Sequence, residues 1–235
     1  IPDLVKRAKE LNMPAVGITD HGNMHGAYEM WSTAVKEGVK PIIGIEAYVT
    51  PETARQDQTR VSWDTNWNPD IDPQHRRRNP NDVSGGGLIT HLTMWAETDE
   101  GLVNLMKAST DANLEGRVMR YPRMDKEILA KYSKGIIASS GCPSGIIQTR
   151  LLLGQFDEAL RAAGELQDIF GRDNFYIEFM DHGLKIEKQV TDGLLDIAKK
   201  LNAPLLATND SHYVRAEDAG SQDAMLCINS GSTLD

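Results

Sequence analysis

At 235 residues the chain is too long for a peptide module and too short for two ordinary domains with separate cores, so one domain covering 1–235 is expected. Hydrophobic residues at 40% and charged residues at 25% exclude disorder, collagen and coiled coil. A net charge of -9 argues against a broad basic face for nucleic acid, while leaving open a nucleic-acid enzyme whose bound cations meet the phosphate.

The chain begins Ile1-Pro2-Asp3-Leu4 without an initiating Met, as an excised fragment would, and Pro2 suits the first turn of a helix. No run approaches the roughly 18 apolar residues of a membrane span, and no charged-then-apolar leader opens the chain, so no membrane contact is expected. Two cysteines, Cys142 and Cys227, cannot build a disulfide framework and fit a reducing, cytoplasmic compartment. Leu4, Val5, Ala8 and Leu11 recur at helical spacing, and the β-branched run from Pro14 to Thr19 reads as a buried strand. Ala27, Met30, Trp31, Ala34 and Val35 trace one helix face that Gly38 ends, and Lys40 to Val49 is a second apolar strand.

Residues 50–86 break this rhythm with Pro51, Pro69, Pro73, Pro80, Arg76-Arg77-Arg78 and Gly85-Gly86-Gly87. A loop of this length is either a solvated insertion or a functional one, in which Trp63, Trp67 and the arginines would contact nucleic acid. The alternation then resumes. Strands are predicted at Leu88–Ala96, Gly135–Ser140, Phe175–Met180 and Pro204–Thr208. Helices are predicted at Glu100–Asn113, Met124–Tyr132, Ser144–Leu153, Phe156–Phe170 and Ile186–Leu201, with a last one from Ala216. Strands alternating with helices in this way imply an α/β fold with a parallel sheet, open or closed into a barrel.

Metal-capable residues collect at the predicted strand ends. Thr19-Asp20-His21-Gly22 follows the first strand, Glu46 lies in the second, His91 in the third, Cys142 just after the fourth, Glu178 in the fifth and Asn209-Asp210-Ser211-His212 after the sixth. In parallel α/β folds the C-terminal strand ends share one rim, where sites assemble. Alternate strand residues face opposite sides, so His21 points into the site with Gly17 and Thr19, while Asp20 stands behind it as an orienting residue. Extended chain would likewise put Asp210 and His212 on one side. Glu178 and His182 read as structural residues, with facing substrate or backing the ligands as the alternative, and Cys227, among Met225, Leu226 and Ile228, reads as core. Imidazoles mixed with carboxylates and one thiolate suit Zn, Mn or Fe rather than Mg or Ca, with the thiolate tilting towards Zn.

Five blocks carry a resemblance: Ile18-Thr19-Asp20-His21-Gly22-Asn23, Pro41 to Glu46, His91-Leu92-Thr93, Gly141-Cys142-Pro143-Ser144-Gly145 and Ala207 to Tyr213. In this order they resemble the polymerase and histidinol phosphatase (PHP) domain, most closely the version at the N-terminus of bacterial replicative DNA polymerase III α subunits. The resemblance implies a distorted seven-stranded (β/α) barrel, here missing its N-terminal strand, with a cluster of divalent metals on its rim. It implies His21, Glu46, His91, Cys142, Asp210 and His212 as ligands, with Glu46, His91 and Asp210 catalytic and Glu46 the bridging carboxylate. Asp20, Asn23, Glu178 and Asn209 then sit behind the ligands or face substrate. The family's opening His-x-His segment would precede Ile1, so the site in these residues is expected to be incomplete. The implied activity is metal-dependent phosphodiester hydrolysis, 3'-to-5' proofreading of a DNA primer terminus in the intact polymerase. Implied partners are the polymerase module and replisome subunits such as the sliding clamp or a separate exonuclease. Two rivals remain: a catalytically silent scaffold that stabilises the polymerase or docks an exonuclease, and a free-standing phosphatase of the same family.

Overall fold

The computed structural model describes residues 1–64, 79, 81–83 and 85–234. It opens with helix α1 (Pro2–Glu10), strand β1 (Ala15–His21), helix α2 (Ala27–Glu37) and strand β2 (Lys40–Val49). After the 50–86 segment come β3 (Thr90–Ala96), α3 (Asp99–Glu115), a short hairpin of β4 (Arg117–Val118) and β5 (Tyr121–Met124), α4 (Lys126–Tyr132) and β6 (Ile136–Ser139). The chain continues through α5 (Ile146–Leu152), α6 (Phe156–Phe170), β7 (Phe175–Phe179), α7 (Lys185–Leu201), β8 (Leu205–Ala207) and α8 (Ala219–Ser230). No helix among the described residues is long and apolar enough to cross a membrane.

The eight strands form one mixed sheet in the order β4-β5-β2-β3-β6-β7-β8, with β1 paired to β2. The all-parallel sheet expected from the alternation is therefore corrected: β3 runs antiparallel to both β2 and β6. The reason lies in the connection. The 50–86 segment carries no crossover helix among its described residues, and a parallel pair needs one, so β3 returns beside β2 in the opposite sense. Residues of β1, β2, β3 and β7 and of the segment after β8 line one cavity, so the sheet curves around it, and β1 and β8 are not paired to each other. The hairpin escaped sequence reading because strands of two and four residues are too short to show alternation.

Two clusters hold the elements. Val5, Ala8, Met30, Ala34 and Val39 pack with Val16, Ile18 and Ile43, which seats α1 and α2 on the outer face of β1 and β2. The larger core joins β2, β3, β6 and β7 to α3, α6 and α7 through residues such as Ile45, Met94, Leu105, Leu166, Phe175 and Ile197. On α2 the expected single face splits: Met30 and Ala34 are buried, whereas Trp31 and Val35 face solvent. Cys227 is not core either, since α8 contributes no buried residue. Its apolar side chains Met225, Leu226 and Ile228 are all more than half exposed.

The described base of the 50–86 segment is bound to the barrel by charge. Glu52 accepts hydrogen bonds from Arg150 (2.6 Å) and Arg161 (2.5 Å). Arg55 bridges to Asp125, Glu115 and Glu127, and the buried Arg123 donates to the carbonyls of Arg55 and Asp57. Trp63 is 6% exposed, with the Arg150 guanidinium 4.4 Å above its ring, so it is not free to stack on a base. Trp67 and Arg76-Arg77-Arg78 lie outside the described residues. Burial works to raise the Glu52 carboxyl, but the hydrogen bonds from Arg161 and Arg150 overcome it and hold the group below its ordinary range. A carboxyl depressed on folding adds stability above its unfolded value and loses it as pH falls through the folded value. Glu52→Gln should cost about 1–2 kcal/mol at neutral pH, a deficit that shrinks in acid, as read by urea unfolding. An unchanged neutral midpoint would contradict the bridging role.

Candidate metal centre

Strand register builds the centre. His21 at the end of β1 lies opposite Glu46 on β2, and two residues along, Tyr48 lies opposite His91 on β3. Partners across a ladder share a face, and so do residues two apart, so His21, Glu46, Tyr48 and His91 all project to one side. His91 stands at the N-terminal end of its strand, which a parallel β3 would place on the far face of the barrel. The reversal of β3 puts it on the rim.

The resulting contacts are short. Glu46 Oε1 lies 2.7 Å from His91 Nδ1, and Oε2 lies 3.7 Å from His21 Nδ1. One donor atom from each of His21, Glu46 and His91 falls within 4.8 Å of the others. The Cys142 thiol sits 3.3 Å from both Glu46 Oε1 and His91 Nδ1. Its loop is fastened to β3, where the His91 N–H donates to the Ser144 carbonyl at 3.0 Å, and to α5, where Gln148 donates to the Gly141 carbonyl at 2.8 Å.

The turn after His21 explains Gly22 and Asn23. Gly22 has φ +69°, and a Cβ there would lie 2.6 Å from the Tyr48 ring; its N–H donates to the Glu46 carbonyl. Asn23 donates from Nδ2 to the His21 carbonyl and accepts from the His25 N–H, fixing the turn rather than meeting the centre. Asp20 accepts from the Gly26 N–H at 2.8 Å, so it anchors the start of α2 and does not touch His21, a correction to the orienting role expected for it.

Across the cavity, His212 has its ring centroid 6.0 Å from that of His21, and its Nδ1 lies 3.9 Å from Asp210 Oδ1. The segment carrying the pair is not the extended chain expected. Asp210 has φ +42°, a left-handed conformation that costs about 1–3 kcal/mol in a non-glycine residue and collects at functional sites. Asn209 serves through its backbone: His182 Nε2 donates to its carbonyl at 2.9 Å, while His182 Nδ1 meets the buried Glu187 at 2.5 Å. This pair ties the Asp210 loop to α7. Glu178 accepts hydrogen bonds from the hydroxyls of Ser139 and Thr208, one on each oxygen. Tyr48, Gln148, Ser139 and Thr208 were missed by sequence reading, and only Tyr48 carried a signal, its shared parity with Glu46.

The cavity lined by His21, Glu46, Cys142, Glu178, Asp210 and His212 holds about 540 Å³ and concentrates negative charge. Burial pushes the Asp210 carboxyl up, and the Glu46 charge adds to it. Burial likewise raises Glu178, with its two hydroxyl donors offsetting part. The Cys142 thiol is raised well above its ordinary range by burial and by Glu46. Glu46 itself is opposed by burial but held below its usual range by the His91 hydrogen bond and the charges of His91 and His21. Exposed and half-buried imidazoles beside the buried Glu46, Glu178 and Cys142 form the donor set of a divalent transition-metal site, and a cation among them would relieve the carboxylate repulsion. Added Mn or Zn should therefore raise thermal stability, by about 2.7 kcal/mol at a hundredfold excess over Kd, and Glu46→Gln should abolish most of the shift. Equal metal-induced shifts in both proteins, by calorimetry, would remove Glu46 from the site.

Residues 1–182 match the PHP domain family. The chain is 50% identical over 234 residues to the DNA polymerase III subunit alpha of Mycobacterium tuberculosis, a match covering 100% of this chain and 19% of that protein. It is 52% identical over 231 residues to that of Saccharopolyspora erythraea, covering 98% and 19%, and 36% identical over 235 residues to that of Borreliella burgdorferi, covering 99% and 18%. The chain thus spans 19% of the length of the first two relatives. With the family match running through residue 182 and across the strands that carry His21, Glu46 and His91 and the loop that carries Cys142, the chain belongs to the PHP domain family.

Proposed function

We propose that the chain is the PHP domain of a bacterial DNA polymerase III α subunit, and that it hydrolyses phosphodiester bonds at the 3' end of a DNA primer with divalent metal. The observation that carries this reading is one cavity lined by His21, Glu46, Cys142, Asp210 and His212, with His91 in contact with Glu46 and Cys142 at its edge. Its setting would be the whole polymerase, with the polymerase module, the primer terminus and replisome subunits as partners.

The chain's residues divide the work. Glu46, between two imidazoles, would hold metal together with His21 and His91 on one side of the cavity, and Asp210 and His212 would hold it from the other. Cys142 would ligate as a thiolate once a metal displaces its proton, which would favour Zn over Mn. Bound metal supplies Lewis-acid polarisation of a phosphoryl oxygen and a hydroxide nucleophile at neutral pH. Glu178, with both oxygens taken by hydroxyls, sets the cavity wall rather than ligating. His182 holds the loop that carries Asp210 and His212.

Metal analysis and a labelled-primer nuclease assay on the full-length parent test this reading. His212→Ala should lower bound metal and reduce nuclease activity by at least about 10- to 100-fold, leaving polymerisation measurable. Metal bound without nuclease activity in the unmodified parent would favour a silent scaffold.

A further inference from the structure

The centre has two open approaches, and they differ in charge. On the side of Asp210 and His212, a cleft with Met180, Leu184, Glu187 and Tyr213 on its walls contains no lysine or arginine, and neither does the central cavity. On the opposite side a second cleft, of about 490 Å³, runs away from His21 past Asn23, Tyr48 and Asn113 to Arg117 and Arg120. For a polyanion meeting an acidic protein, this is the approach with favourable local charge.

The two arginines are held differently from the others around the barrel. Arg55, Arg150 and Arg161 each pair with carboxylates. Arg117 and Arg120 are exposed, and neither has a carboxylate partner among the described residues. Arg120 reaches the Asn229 side-chain oxygen at 3.3 Å and the Tyr121 side chain, and its guanidinium lies 5.3 Å from the Tyr121 ring centroid. From there a series of rings leads to the centre: Tyr121 edge-on to Tyr48 at 5.0 Å, and Tyr48 stacked on His21 at 6.0 Å with 12° between planes. The turn between β4 and β5 that presents the arginines places Met119 at φ +54°, and Met119 is 73% exposed. A non-glycine side chain in the left-handed region, facing solvent, is strain that packing does not account for.

We infer that the β4–β5 hairpin is a phosphate-binding lip for single-stranded nucleic acid, with Arg117 and Arg120 gripping backbone phosphates of the strand whose end lies at the His21–Glu46–His91 centre. The inference rests on the hydrolytic reading above and adds to it the path of the substrate. Phosphate contacts position a strand without reading its sequence, and the half-buried Tyr48 and Tyr121 lie beside them.

The test uses the full-length parent with two probes, a single-stranded oligothymidylate and the p-nitrophenyl ester of thymidine 5'-monophosphate, the second too short to reach the hairpin. In the double variant Arg117→Ala/Arg120→Ala, the preference for the oligonucleotide over the ester, as a ratio of kcat/KM values, should fall several-fold. The slope of log KM for the oligonucleotide against log salt should flatten by about 1.4, at about 0.7 per phosphate contact on single strands. Arg117→Lys/Arg120→Lys should restore the slope, since ammonium keeps the charge. Hydrogen exchange provides a readout independent of hydrolysis: bound oligothymidylate should slow exchange across residues 117–124. An unchanged ratio and slope, or a bound strand that leaves 117–124 unprotected, overturns the inference. An inactive parent whose hairpin is protected supports the inference and overturns the hydrolytic reading instead.

Discussion

A carboxylate 4% exposed in the wall of a protein is a liability unless neighbours stabilise its charge, and Glu46 is stabilised from three directions. His91 approaches from β3, His21 from β1 and the Cys142 thiol from the loop after β6. Each neighbour arrives by a separate structural device. The parallel register of β1 on β2 sets His21 opposite Glu46. The antiparallel return of β3 brings His91 to the same rim, and the backbone bond from His91 to Ser144 fastens the Cys142 loop against it. Gly44 belongs to the same scheme: a Cβ there would lie 2.3 Å from the Met94 carbonyl, so only glycine lets β2 and β3 approach closely enough beneath the centre.

The charge around Glu46 explains the chemistry that suits the cavity. Three carboxylates, Glu46, Asp210 and Glu178, line one space with imidazoles but no lysine or arginine. Burial pushes Asp210 and Glu178 up, and the Glu46 charge adds to both. Such a set is poorly balanced alone and well balanced around cations, the condition under which hydroxide can be generated and a phosphoryl oxygen polarised. Elsewhere the arginines serve architecture: Arg123, Arg150 and Arg161 tie the base of the 50–86 segment to the barrel. Arg117 and Arg120 line the cleft that starts at His21 and have no carboxylate partner among the described residues.

Much of this was legible in the residues. The second strand at Lys40–Val49 and the helix at Phe156–Phe170 were read with the bounds the structure gives, because both are long enough for their periods to be unambiguous. The parity of the first strand was also readable, and Val16 and Ile18 do pack under the helices. Strand direction was not readable. Alternation marks which face a residue takes and says nothing of which way the chain runs, so His91 was placed on the rim by an argument from C-terminal strand ends that fails for β3. The left-handed Asp210 left no trace beyond its residue type, since Asp tolerates that conformation but does not require it. Asp20 and Asn23 were singled out for standing beside a candidate ligand, and their side chains instead fasten the turn after β1.

The central claim is that the β1–β2–β3 register assembles a metal site on Glu46, and metal-edge anomalous diffraction from metal-loaded crystals of the full-length parent tests it most directly. The account predicts anomalous peaks bordering the Glu46 carboxylate, with the His21 and His91 nitrogens about 2.0–2.2 Å from metal and, for zinc, the Cys142 sulfur at about 2.3 Å. Metal found only at surface histidines or acidic patches, with no peak beside Glu46, would contradict it.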